Sequence, residues 1–258
     1  MSEGRKHAFG PRDDLGTAVE LPAPPRRIVS LVPSLTEALA ATVPERLVGA
    51  TDWCTHPADL DVARVRGTKN PDRAAIAALA PDLVVANQEE NRKLDVERLR
   101  AAGIPVWVTV IQTLDEALAS MRRLLTEVLA VDEPGWLTTA ADEWARPAPA
   151  PELRVLVPIW RDPWMAVGPR TFTGDLLRRL GLRTVVDDPE QRYPRFEPAE
   201  RPDVDVVLLP DEPYVFTADD GPEAFPDVRS VLVSGRDLTW YGPSLATARS
   251  RLLDATRG

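Results

Sequence analysis

Apolar residues recur at three- and four-residue steps from Thr113 to about Arg146. Leu114, Leu118, Met121, Leu125, Val128 and Leu129 mark one face of a helix. Thr113-Leu114-Asp115-Glu116 opens it as a capping box, in which the hydroxyl accepts from the third helical N–H and the glutamate reaches back. Asp132-Glu133-Pro134-Gly135 interrupts it, because proline lacks the N–H and fits best in a first turn. Trp136, Leu137, Ala140, Ala141 and Trp144 continue an apolar face to Pro147. On both sides of this stretch, β-rich runs alternate with helical ones.

Before it, strands are expected at Arg27–Val32, Leu47–Thr51, Asp82–Asn87 and Pro105–Val110. The helices expected between them are a capping box at Ser34–Glu37 running to Val43, Asp72–Ala80, and Asn91–Ala102 closed by Gly103. Asp52–Pro71 reads as one long loop. After the linker Ala148–Pro151, strands are expected at Leu153–Ile159, Trp164–Gly168, Arg183–Val186, Val204–Leu209 and Ser230–Ser234. Helices are expected at Phe172–Leu180 and Pro243–Ala255. Strands separated by helices imply βαβ units and parallel sheets. The chain therefore divides into a tail or edge strand (1–24), an α/β lobe (25–112), connecting helices (113–147) and a second α/β lobe (148–258).

The 258 residues suffice for two lobes with cores, and the 44% hydrophobic content is ordinary for a globular protein. A formal net charge of −9 offers no basic patch, which excludes nucleic acid as the expected partner. The lone cysteine, Cys54, excludes an internal disulfide. No apolar run approaches the ~20 residues of a membrane span. Pro11-Arg12-Asp13-Asp14 stands where a signal peptide would have its apolar region, so the sequence as it stands reads as cytoplasmic, or as periplasmic or cell-surface if a signal has been removed.

In open parallel sheets, ligands bind outside the carboxyl ends of the strands. Those ends carry Ser34, Trp53, Cys54, His56, Glu89, Glu90 and Asn91 in the first lobe, and Trp160, Trp164, Tyr214, Trp240 and Tyr241 in the second. The aromatics either fill local core or wall a flat cleft for a large, partly apolar ligand. Cys54 and His56 share a face of an extended segment, and Pro57 favours that geometry. They are a half-buried thiol and a turn histidine, the start of a metal site completed by Glu89 or Glu90, or a nucleophile and its base. Glu89, Glu90 and Asn91 either favour a helix N-terminus or clamp a ligand. Lys69 is an exposed turn residue or a ligand contact. No glycine-rich phosphate loop and no zinc-protease or Gly-x-Ser-x-Gly signature is present.

RIVSLVPSLTEALAA, LVGATDWCTHP, GTKNPDRAAIAALAPDLVVANQEEN and LRAAGIPVWV resemble the first lobe of the helical-backbone metal receptors. WMAVGPRTFTGDLLRRLG and LTWYGPS fit the second lobe. These are periplasmic-binding-protein-like receptors of ABC importers for vitamin B12, haem and iron–siderophores, and the nearest group is the cobalamin binders. The resemblance implies two three-layer α/β lobes with parallel sheets, joined by an inter-lobe helix, with the ligand in a cleft between them. The ligand expected is a corrinoid or metal chelate. Lys69, Tyr193 and Trp240 fall in regions that line the cleft of B12 binders, and Lys69 departs from the aromatic pattern. Importer docking implies an acidic residue on each lobe. Ala74 occupies the first position, and Glu197 or Glu200 stands near the second, so an ABC permease partner is not evident from docking carboxylates.

These observations support two main functional readings. The first is a non-catalytic small-molecule binding protein, coupled to transport or not. The second is an intracellular enzyme on the same scaffold, using Cys54, His56, Glu89 and Glu90. A metal-handling protein built on Cys54, His56 and a carboxylate is a third.

Overall fold

The computed structural model describes residues 10–150, 152–200 and 203–257. The chain divides into two compact units, one holding residues 1–111 and 119–134, the other residues 112–118 and 135–258. The chain passes between them at three places, one of which falls inside a helix of the central stretch.

The first unit contains β1 (Ile28–Ser30), α1 (Pro33–Thr42), β2 (Leu47–Ala50), β3 (Ala63–Arg64), β4 (Arg66–Gly67), β5 (Asn70–Pro71), α2 (Arg73–Ala78), β6 (Leu83–Asn87), α3 (Lys93–Ala101) and β7 (Val106–Thr109). Five strands form one parallel sheet in the order β3-β2-β1-β6-β7. The continuous apolar run of β6 is buried at every position, as a central parallel strand requires. Alternate residues divide between two faces. Val29, Val84, Ala86, Val106 and Val108 join Ile76 of α2 and Val96 and Leu99 of α3 in one core. Ile28, Val85 and Trp107, also buried, point the other way.

The helix at Pro33 corrects one reading. Its first residue is proline itself, preceded by Val32 with no side-chain cap, so Ser34, Thr36 and Glu37 lie within the helix and are buried rather than forming a capping box. Proline supplies the helical φ and lacks the N–H that a first turn leaves unpaired. The loop Asp52–Pro71 is also more structured than expected, since β3 extends the sheet and β4–β5 form a short antiparallel pair. Of the two readings of residues 1–24, tail or edge strand, the described part shows one isolated bridge, between Arg12 and Ala18.

Residues 10–24 are pinned all the same. The Asp13 carboxylate, fully buried, accepts from the Leu15 and Thr17 amides and from Arg100 at 2.6 Å. Asp14 accepts from the Val110 amide, the Ser120 hydroxyl and Arg123 at 3.0, 2.6 and 2.7 Å.

The central stretch is α4 (Leu114–Arg122), a π-helical turn (Arg123–Val128) and α5 (Gly135–Trp144). The capping box forms as expected: the Glu116 amide donates to Thr113 Oγ1 and the Thr113 amide to Glu116 Oε2. A second cap comes from elsewhere in the second unit. Asp175 accepts from the Leu114 amide at 2.9 Å and pairs with Arg178 and Arg179, and Arg179 also reaches Asp115 at 2.6 Å.

The second unit adds β8 (Leu153–Leu156), β9 (Pro158–Trp160), β10 (Met165–Ala166), α6 (Phe172–Arg179), β11 (Leu182–Thr184), β12 (Val206–Pro210), β13 (Ser230–Val233), α7 (Gly235–Thr239) and α8 (Leu245–Arg257). Its parallel sheet runs β11-β8-β12-β13, and β9–β10 form an antiparallel pair. The expected strand Leu153–Ile159 is thus two strands broken at Val157, and α7 is a short helix that the sequence pattern does not reveal. Leu156, Val207 and Leu209 pack with Ala166, Val185, Phe216 and Phe225 in the core. Gly181 ends α6 at φ +71°, where a Cβ would stand 2.3 Å from the Pro149 carbonyl oxygen.

Two measurements test these ties. Replacing Asp14 by alanine removes a charge-assisted acceptor of three donors and leaves Arg123 without it, so urea unfolding should show a loss of about 2–3 kcal/mol. Burial opposes charge on Asp175, yet the Leu114 amide and the two arginines outweigh it and hold its carboxyl below the usual carboxylate range. Its stabilising contribution is complete above the unfolded value of about 3.9 and is lost as pH falls through the folded one. Asp175→Asn should therefore be less stable at pH 7 and show a shallower loss of stability below about pH 4 in acid titration.

Candidate functional site

The carboxyl edge of the first lobe is held by short polar ties. Asn87, at the end of β6, accepts from the Glu89 and Glu90 amides and donates to Thr109 Oγ1. Asn91 is buried, and its amide group joins three loops: Oδ1 accepts from the Asn87 amide, and Nδ2 donates to the Leu31 and Thr68 carbonyls. Lys69 is exposed and donates to the Glu89 carbonyl. Arg64 donates to the carbonyls of Thr51, Cys54 and Leu60 and so fixes the loop after β2.

On that fixed loop Trp53 is 67% exposed. Its Nε1 lies where a Cβ on Gly67 would come within 3.2 Å, so the indole rests against the β4–β5 hairpin. Cys54, one residue on, is fully buried, with Thr36 Oγ1 and Thr51 Oγ1 at 3.0 and 3.1 Å from Sγ. His56 is half-buried, its Nδ1 3.2 Å from Thr55 Oγ1. Glu89 is exposed and Glu90 half-buried. Ser34 is buried in the first turn of α1.

In the second lobe the aromatics separate into two groups. Trp160 is 45% exposed and meets Tyr214 edge-on at 5.8 Å. Tyr193 is exposed on the segment that runs antiparallel to β10, with Arg192 5.8 Å from its ring. That close approach needs Gly168, where a Cβ would collide with the Gln191 carbonyl. The other group belongs to the interior. Trp164 stacks on Phe216 and meets Phe225 edge-on, Trp240 is buried, and Tyr241 is buried edge-on against Phe172. The aromatics expected at this edge thus differ in exposure: Trp160 and Tyr193 are open, Trp164 is partly buried, and Trp240 and Tyr241 are buried.

A cavity of about 230 Å³ opens in this lobe beneath residues 187–196. Leu156, Ala166, Val185 and Phe196 form its apolar part, and Asp187, Asp188 and Arg195 its polar part. The long-range partners at this edge are invisible in the sequence. Asp219-Asp220-Gly221 reads as a turn, yet Asp220 accepts from Tyr214 at 2.6 Å and from Arg161, 59 residues earlier.

No protein-family model matches the chain. Among curated proteins, the vitamin B12-binding protein of Pectobacterium atrosepticum is 29% identical over 184 residues, covering 66% of each protein. That of Pectobacterium carotovorum is 35% identical over 104 residues, 38% of its length. The chain thus spans just under two thirds of the first relative and well under half of the second. A periplasmic vitamin B12 binding protein of Vibrio cholerae superposes with a TM-score of 0.68 at 19% identity, over 91% of this chain and 99% of that one. A periplasmic haem-binding protein of Roseiflexus superposes with a TM-score of 0.73 at 20% identity, over 90% and 99%. These likenesses establish a two-lobed periplasmic-binding-protein fold, and the sequence resemblance to B12 binders agrees with it.

The geometry at Cys54 gives no support to the thiol chemistry considered from sequence. Burial pushes the Cys54 thiol up, the threonine hydroxyls offset this in part, and the Glu90 charge raises it further. A thiol so placed is shielded from solvent, and burial disfavours its thiolate form. Among the described residues, no three His, Cys, Asp or Glu side chains gather to hold one metal ion, so Cys54, His56 and Glu89 or Glu90 do not form the metal site considered for them. Cys54 should alkylate with iodoacetamide at pH 8 at least about tenfold more slowly than free cysteine, and at the free rate in denaturant.

Proposed function

We propose that this chain, with the fold of the periplasmic B12 and haem binders and a sequence resembling vitamin B12-binding proteins, is a binding protein for a bulky metal chelate of the corrinoid class. The observation that carries the reading is the exposure of two anchored indoles at the carboxyl side of the two sheets. Trp53 rests on the β4–β5 hairpin and Trp160 on Tyr214. Leaving a large ring in water forfeits its burial energy, and such rings mark contact surfaces when the backbone beneath them is rigid. Tyr193 adds a third exposed ring. Glu89, Glu90, His56 and Lys69 are the polar groups that orient the ligand on the first lobe. Ser34, Cys54 and Asn91 contribute through the frame that holds those groups.

Coupling to an ABC permease belongs to this reading through the second lobe. Glu197 and Glu200 are exposed around a short 3₁₀ turn and are its docking candidates. On the first lobe, Ala74 is exposed on α2 where the resemblance calls for a carboxylate. The solved relatives are periplasmic proteins, and this reading takes the same compartment in place of the cytoplasmic expectation. No described helix is long and apolar enough to cross a membrane.

The test is a tryptophan-fluorescence titration with cobalamin and with a metal-free corrinoid precursor, corrected for absorption with free tryptophan. Saturable quenching at micromolar or tighter affinity is expected. Trp53→Ala and Trp160→Ala should each weaken binding about three- to tenfold, the worth of one aromatic contact. Absence of saturable quenching by either corrinoid would overturn the reading.

A further inference from the structure

Trp160 belongs to a chain of contacts whose hub is a charged side chain. It meets the Tyr214 ring edge-on, with centroids 5.8 Å apart and planes at 79°. The Tyr214 hydroxyl donates to Asp220 Oδ2 at 2.6 Å. Asp220 Oδ1 accepts from Arg161, the residue next to Trp160. Arg161 donates as well to Glu223 Oε1 at 2.5 Å, and Glu223 in turn accepts from the Gly221 amide. Its guanidinium lies 5.1 Å from the centroid of Trp164, which stacks on Phe216 in the core. Tyr214 closes the circuit on Phe216 with centroids 4.7 Å apart.

Surface ion pairs contribute little as a rule, because exposed side chains seldom hold one geometry. Here the planar fork of one guanidinium is shared by two carboxylates while its face covers an indole, which restricts it from three sides. Its 27% exposure is lower than that of either acid. Neither carboxylate is placed by Arg161 alone, since Tyr214 holds Asp220 and the Gly221 amide holds Glu223.

We infer that Arg161 is a positioning residue for ligand binding, fixing the exposed Trp160 ring through Asp220 and Tyr214 while anchoring its own segment on Trp164. The inference rests on the corrinoid-class reading for its affinity arm only. Without Arg161, Asp220 keeps Tyr214 as its only recorded side-chain partner, and the carboxylate that tethers the Tyr214 ring is held from one side instead of two. Binding must then order Trp160 at an entropic cost that the intact circuit removes.

The experiment has two arms, on the full chain. In the first, acrylamide quenching of Trp160 is taken as the difference between each protein and its Trp160→Phe counterpart, with no ligand present. Arg161→Gln should raise the quenching constant of that signal. Tyr214→Phe, which keeps the ring and removes only the hydroxyl, should raise it in the same direction. In the second, cobalamin affinity should fall about five- to tenfold in Arg161→Gln, while in a Trp160→Ala background the same change should have less than a twofold effect. Arg161→Lys, which keeps charge but not the fork, should recover only part of the affinity. An unchanged Trp160 quenching constant in both Arg161→Gln and Tyr214→Phe overturns the inference, as does an equal loss of affinity with and without Trp160. If wild-type protein binds no corrinoid, the corrinoid reading falls, and the quenching arm alone decides the role of Arg161.

Discussion

Both main sheets are wholly parallel, and that single constraint organises the molecule. A parallel strand needs a crossover before its neighbour, so its two ends have different duties. One end receives the chain from a helix. The other releases it into a loop whose amides and carbonyls have no strand to pair with. At the carboxyl end of β6 the answer is asparagine chemistry, with Asn87 and Asn91 supplying donors and acceptors that the backbone has left over. At the end of β12 it is Asp211, which accepts from the Gly235 amide and seats α7. The loops that could carry a ligand are ordered because the sheet's direction obliges the protein to satisfy them.

An acidic protein also has to account for its many arginines, and much of their work is on carbonyls. Arg27 caps the end of α2 through Leu79 and Ala80, Arg46 reaches the Leu129 carbonyl, and Arg229 caps α8 through Ala255 and Thr256. The last turn of a helix leaves carbonyls unpaired and partly negative, and a guanidinium satisfies two at once. Such contacts occupy the guanidinium donors and leave the positive charge in place.

The strands and most helices are legible in the sequence because each depends on local pattern. DLVVAN is a buried strand by composition alone, and the capping box of Thr113–Glu116 is local, although the second cap from Asp175 is not. Local reading fails where a residue type has two local uses. Pro33 ends a strand and begins a helix with equal ease, which disguises Ser34–Glu37. Trp164 and Tyr241 sit at the right places along the chain to be cleft aromatics, but their ring partners Phe172, Phe216 and Phe225 come from distant positions that a single sequence does not connect. Trp53 and Trp160 are legible by the same rule and remain outside the core. Cys54 reads as half-buried or reactive. Burial decides its state, and one of the groups that meets the buried sulfur is Thr36, eighteen positions earlier on a different element.

The clasp made by Asn91 has a consequence for kinetics. One side chain ties the exits of β1 and β6 and the turn between β4 and β5, so these segments cannot fluctuate independently. A rim coupled in this way has little disorder left to lose, because most of the entropy of shaping it is lost during folding. Under the proposed function, encounter with a ligand would resemble docking onto a finished surface, without a slow search among loop conformers. The same coupling narrows tolerance: a molecule of the wrong outline cannot displace one loop without straining all three.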